Sequence, residues 1–114
     1  MTLYLSGPIT GNPNFTELFE KAEARLTKMG YKVINPAKLP AALPVNDMCY
    51  EDILDVCLNL LEKADAMCLL PGWEKSRGAN RELGYALGTD TIVWVADLEE
   101  AEDKFVLMPF GGVK

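Results

Sequence analysis

Four short apolar runs in this chain stop abruptly, and helical periodicity fills the gaps between them. "TLYLSG" (Thr2 to Gly7) halts at Gly7-Pro8, "YKVINP" at Pro36, and "AMCLL" (Ala66 to Leu70) at Pro71-Gly72. "TIVWVA" (Thr91 to Ala96) runs into the acidic "DLEEAEDK", which reads as solvated. Short apolar runs bounded in this way read as strands. After the first of them, Phe15, Leu18, Phe19, Ala22, Leu26 and Met29 recur at helical spacing. Asn14, with Glu17 three residues later, is the expected N-cap, and Gly30 the expected stop. Ile53, Cys57, Leu60, Leu61 and Ala64 form a second helical stripe, with Asp47 ahead of it as a candidate cap. A third helix occupies the end of "PGWEKSRGANRELGYALG" (Pro71 to Gly88). "AKLPAALPVND" has two prolines and no period and is expected to be a loop, while "FVLMPF" is either a last short strand or a docking tail.

Strand and helix therefore alternate with no hairpin signal. That order predicts a three-layer α/β fold of Rossmann or flavodoxin type, with a parallel sheet of four to five strands and helices on both faces. A chain of 114 residues, 49% of them hydrophobic, fits a single domain over 1–114 with one core. No apolar run approaches the ~20 residues of a membrane span, and the N-terminus has no basic region ahead of an apolar stretch, so neither a membrane anchor nor a signal peptide is expected. Eleven basic against seventeen acidic residues give a net charge of −6, which disfavours nucleic acid as a partner but leaves room for a small anion. Cys49, Cys57 and Cys68 lack metal-ligand spacing and read as buried free thiols of a reducing, cytoplasmic setting. No metal or cofactor is expected. The chain has no histidine, so acid–base chemistry falls to carboxylates, tyrosine, lysine, cysteine or water.

In open parallel sheets, ligands bind beyond the carboxyl ends of the strands near a switch in strand order. Two glycine-containing loops leave such ends. "SGPITGN" offers Ser6, Gly7 and the amides from Ile9 to Gly11; "PGWEKSRGA" offers Trp73, Ser76, Arg77, Gly78 and a helix N-terminus. Such groups suit a phosphate, although neither loop matches the P-loop or the G-x-G-x-x-G pattern. Glu82 lies four residues past Gly78 and neighbours the apolar positions Ala79, Leu83 and Ala86. A glutamate there can simply complement the helix dipole. At the border of a core and beside a cleft it is also a costly placement, which points to chemistry. Tyr4 lies three residues before Gly7, so its hydroxyl is within reach of the same cleft. Trp73, in a turn, reads as a lid over a pocket.

"YLSGPITG", "ADAMCLLPGWEKSRGANRELGYALG" and "TIVWV", in this order and spacing, resemble the nucleoside 2-deoxyribosyltransferase superfamily. The similarity is to its short phage and bacterial members, which carry a domain of unknown function, and extends to the 2'-deoxynucleoside 5'-monophosphate N-glycosidases. It covers about residues 2–96. The most specific part is "S-x-G-x-x-x-E-L-G-x-A", Ser76 to Ala86.

The resemblance implies that Glu82 attacks the anomeric carbon of a 2'-deoxynucleoside or its 5'-monophosphate and forms a covalent deoxyribosyl intermediate, which a second base or water resolves. It implies that Tyr4 orients Glu82, that Ser6 and Ser76 help bind a 5'-phosphate, and that Asp65 caps or orients the next strand. The tail echo "VLMPF" implies a homo-oligomer in which Met108 closes a neighbour's pocket over the base, for which the two loops leave little apolar surface. One position departs from the pattern: Cys57 stands where family members commonly carry an aspartate that handles the leaving base. Asp55 points roughly 200° round the helix from it and is a poor substitute. The departure keeps a second reading open, a nucleotide-binding protein without turnover. A third reading, a small adaptor using its acidic tail and Trp73, has less to support it.

Overall fold

The computed structural model describes residues 1–9, 13–99 and 104–110. Alternation along the first strand organises the rest. In β1 (Thr2–Ser6), Leu3 and Leu5 face one side of the sheet and Tyr4 and Ser6 the other, all of them buried. β3 (Ala66–Leu69) repeats the pattern with Ala66 and Cys68 against Met67 and Leu69. On the first face, α1 (Phe15–Lys28) packs Phe19, Ala22 and Leu26 over Leu3, Leu5, Cys68 and Ala96. On the second, α3 (Tyr50–Glu62) and α4 (Arg77–Gly88) bring Cys57, Leu61, Leu83 and Ala86 over Tyr4, Met67 and Val93. The result is the expected three-layer, Rossmann-like α/β arrangement. Among the described residues no helix is long and apolar enough to cross a membrane.

With β2 (Lys32–Ile34), β4 (Ile92–Glu99) and β5 (Lys104–Pro109), the sheet order is β2-β1-β3-β4-β5. The first four strands are parallel, and the order turns outward between β1 and β3, which makes their carboxyl ends the switch point. β5 departs from the all-parallel expectation. It pairs antiparallel with β4, from Trp94↔Pro109 to Glu99↔Lys104, so "FVLMPF" folds back onto its own sheet. β4 continues three residues past Ala96 into what read as a solvated acidic run. The hairpin was missed because its polar connection carries no glycine or proline.

Helix ends follow the expected signals at Gly30 and Asn14 and depart from them at Asp47. Gly30, at φ 99°, ends α1: its amide donates to the Thr27 carbonyl and that of Tyr31 to the Leu26 carbonyl, the paired bonds of a Schellman turn. Asn14 holds the N-cap position of α1 through its backbone carbonyl, which accepts the Leu18 amide at 3.1 Å, rather than through a side-chain cap bond. Asp47, the candidate cap of α3, lies instead in a 3-10 turn (Val45–Asp47), and Cys49 takes the N-cap position. Cys49 is also exposed, unlike Cys57 and Cys68. Asp65 ties down β1 rather than the strand that follows it, accepting the Thr2 amide at 2.8 Å.

The segment read as a loop, "AKLPAALPVND", is ordered. It holds a 3-10 turn (Pro36–Lys38), the short α2 (Leu39–Ala42) and the Val45–Asp47 turn. Its prolines misled because Pro40 stands in the first turn of α2 and Pro44 just ahead of the Val45–Asp47 turn, where a missing amide costs nothing. Asn35 starts the segment by accepting the Ala37 amide at 3.0 Å. It also donates to Glu23 on α1 at 3.0 Å, and Lys38 pairs with the same glutamate at 2.9 Å.

Candidate active site

Glu82 lies on the buried face of α4, between Ala79, Leu83 and Ala86, and is only 7% exposed. Two hydroxyls on β1 meet it. Tyr4 donates to Oε2 at 2.5 Å and Ser6 to Oε1 at 2.7 Å. Residues two apart on a strand share a face, so the spacing of Tyr4 and Ser6 aims both at one carboxylate. Among the described residues no lysine or arginine forms an ion pair with it. Burial raises the Glu82 carboxyl above its usual range, against the opposing hydrogen bonds from Tyr4, Ser6 and Cys57. The Tyr4 hydroxyl is pushed well up by burial and by the carboxylate beside it. Cys57 adjoins both groups, and burial lifts its thiol to about 11. Helix-dipole complementarity accounts for neither the burial of Glu82 nor its two dedicated donors.

Glu82 borders a cavity of about 510 Å³, within the range of small-molecule sites. One end is polar and cationic, formed by Gly7, Lys75, Ser76, Arg77 and Gly78. Ser76 caps α4, accepting the Ala79 amide at 3.2 Å, and its hydroxyl reaches the Gly7 carbonyl at 3.5 Å. Asn80 holds the preceding turn to the helix, donating to the carbonyls of Trp73, Glu74 and Ser76 at 3.2, 3.1 and 2.8 Å. The apolar wall consists of Phe15, Pro36, Leu39, Val45, Ile53 and Leu54. The expectation of little apolar surface is therefore wrong. Phe15 and Ile53 belong to the helical stripes of α1 and α3, whereas Leu39 and Val45 come from the segment read as a loop, where no periodicity announced them.

Gly7 has a packing reason of its own: a Cβ there would sit 3.0 Å from Leu70 Cβ, a crowding that would push the two chain segments apart by a few tenths of an ångström. Ile9 lines the cavity as expected, while Gly11 lies outside the described residues. Ser6 is placed differently from its expected phosphate role. It is 1% exposed and gives its hydroxyl to Glu82, so it backs the carboxylate rather than facing the cavity. Trp73 is no lid. It begins a 3-10 turn (Trp73–Lys75) and packs edge-on against Phe110 at 5.9 Å, off the cavity lining. Met108 is 44% exposed on β5 and likewise does not line this chain's cavity.

Tyr50 was missed in the sequence. Its ring lines the cavity between two guanidiniums, 5.1 Å from Arg77 and 5.5 Å from Arg81, and Arg81 is held at 3.0 and 3.2 Å by Glu51. A tyrosine in the first turn of one helix, with arginines four apart in another, is a signal visible only once the two helices are known to pack. No group of three or more histidine, cysteine or acidic side chains among the described residues is arranged to hold a metal ion.

Of the groups gathered here, the carboxylate can act as nucleophile, base or, when protonated, acid. The cationic end can hold an anion and the apolar wall a flat ring. No characterised protein matches the chain. The family model of a domain of unknown function does match, over residues 1–95, a span that holds Tyr4, Ser6, Glu82 and the whole cavity lining, and the chain accordingly belongs to the DUF4406 family.

Proposed function

We propose that this protein cleaves or transfers at the N-glycosidic bond of a 2'-deoxynucleoside or its 5'-monophosphate, with Glu82 as nucleophile. The observation that carries the reading is a buried carboxylate held by two neutral hydroxyls at the edge of a cavity lined by two cations and an apolar wall. Breaking an N-glycosidic bond develops positive charge at the anomeric carbon, which an adjacent carboxylate stabilises and can trap. Tyr4 and Ser6 fix the direction from which Glu82 approaches. Ser76, Arg77, Lys75 and the α4 N-terminus receive the phosphate, and the wall from Pro36 to Val45 receives the base. Water or a second base then resolves the intermediate. The partner on this reading is a small nucleotide in the cytoplasm rather than a nucleic acid, and no cofactor takes part. The reading extends to a homo-oligomer, supported by the exposure of Val106 and Met108 along β5.

A panel of deoxynucleosides and their 5'-monophosphates, with released base measured by chromatography, tests the activity. Glu82→Ala should abolish release while leaving the circular dichroism spectrum intact. A covalent nucleophile contributes several powers of ten, each about 1.4 kcal/mol of barrier. Wild-type rates in that variant would remove Glu82 from the mechanism. One observation favours a second reading, nucleotide binding without turnover: the neighbour of Glu82 is a thiol whose proton is held up to about 11. Tight binding of a monophosphate with no base released from any member of the panel would select it.

A further inference from the structure

The ordinary nucleobases leave sugar as poor leaving groups. Unless the base takes up a proton as the bond breaks, it departs as an anion, and enzymes usually supply that proton from a positioned acid. The proton-bearing side chains that line the cavity are few. Among the described residues they are Glu82, Cys57, Tyr50, Lys75, Ser76 and Arg77. Glu82 is the only carboxyl among them, and on the reading above it is the nucleophile. Lys75, Arg77 and Tyr50 belong to the cationic end, with the Tyr50 ring against two guanidiniums, and the Ser76 hydroxyl is engaged by the Gly7 carbonyl and the Ala79 amide. Tyr4, the remaining hydroxyl at Glu82, is fully buried, donates to Glu82 itself, and is held protonated by burial and by that carboxylate. The chain between Ile9 and Pro13 is Thr10, Gly11 and Asn12, which carry no acid either. That leaves Cys57, which lines the cavity beside Glu82 and keeps its proton up to about 11.

Resting on the N-glycosidic reading, we infer that Cys57 is the specificity-determining residue of the site: with a thiol there and no second carboxyl among the described lining residues, the cavity cleaves N-glycosides whose base leaves without taking up a proton. The chemical class is nucleotides with a quaternised base, such as N7-alkylated purines or pyridinium compounds. The step balances without an acid. A Glu82 oxygen bonds to the anomeric carbon as the carbon–nitrogen bond breaks, and its electron pair cancels the positive charge of the ring, so a neutral base leaves. Water then attacks the anomeric carbon, the Glu82 carboxylate departs, and the water proton goes to solvent. The apolar wall of Pro36, Leu39, Val45 and Ile53 suits the neutral product, and the cationic end suits the phosphate.

The test compares 7-methyl-2'-deoxyguanosine 5'-monophosphate with 2'-deoxyguanosine 5'-monophosphate at neutral pH, each corrected for its spontaneous loss of base. For the wild type, kcat/KM should favour the methylated nucleotide by about 100-fold or more, the scale of an absent general acid. Cys57→Asp places a carboxyl beside Glu82 and should narrow that ratio at least about tenfold, by speeding the unmodified substrate alone. Cys57→Asn, of the same shape without the acid, should leave the ratio as it is, and circular dichroism checks that both variants fold. Wild-type protein that cleaves the two nucleotides within tenfold of each other overturns the inference. A folded Cys57→Asp variant with an unchanged ratio overturns the role of Cys57. Binding of both nucleotides with cleavage of neither overturns the N-glycosidic reading itself, and this inference with it.

Discussion

Glu82 holds a carboxylate where little water reaches it, and the two hydroxyls of Tyr4 and Ser6 replace part of the lost solvation. Because burial raises its pKa in the folded chain, the folded state binds the proton more tightly than the unfolded one, where a glutamate titrates near ~4.3. The stability contributed by this group is thus full below the unfolded value and is lost as pH rises through the folded one. Glu82→Gln, which never ionises, should therefore be at least as stable as the wild type at neutral pH, with the advantage shrinking toward pH ~4. Urea unfolding across that range measures it, and a wild type more stable than the variant at neutral pH would contradict the assignment. The Tyr4 hydrogen bond opposes the rise. Tyr4→Phe should move the acid limb of the pH–rate profile upward and slow turnover by roughly ten- to a hundredfold, the loss of one hydrogen bond to a charged group. An unmoved limb would leave Tyr4 with packing alone. At this scale the sequence was informative: Tyr4 and Glu82 were singled out because a polar group at a core border needs a reason. The pairing of Ser6 with Glu82 was legible in principle from strand alternation, but a serine before a glycine turn carries so many ordinary readings that the spacing alone did not select one.

Among the elements, α4 does the most to position the site. Its N-terminus, capped by Ser76 and carrying Arg77, faces the cavity while its second turn delivers Glu82. A 5'-phosphate should accordingly improve binding of a deoxynucleoside, and Arg77→Ala should erase about tenfold of that gain, or ~1.4 kcal/mol. Titration calorimetry of nucleoside and monophosphate at low salt reads both numbers, and equal affinities for the two ligands would remove the phosphate site. The strands and long helices were legible because their periods are strong. The elements that escaped are those with no period to show: the chain from Pro36 to Asp47, held by Asn35, Glu23 and Lys38 rather than by an apolar stripe, and the β4–β5 hairpin. The first of these contributes Pro36, Leu39 and Val45 to the apolar wall, so the part of the cavity least visible in the sequence is the part that, on the proposed reading, meets the base.

For the whole molecule, the antiparallel β5 gives the tail a partner within its own chain and sets Phe110 against Trp73. A chain ending at Asp103 loses both, and should unfold at lower urea by an amount on the order of 2–3 kcal/mol, within the ordinary range of substantial core losses. Light scattering on the two chains shows whether β5 also joins subunits: an oligomer that survives truncation would place the interface elsewhere. Glu82 and its two donors are 76 and 78 positions apart in the chain, on the first strand and the last helix before β4. Until that long loop closes, Glu82 is an ordinary solvated glutamate, and on the proposed reading the chain holds no poised nucleophile. In a refolding experiment the return of catalysis should then lag helix formation and keep time with the slowest, least local pairing. Activity becomes a clock for completion of the fold, blind to every partly folded form that a far-ultraviolet signal would already count as structured.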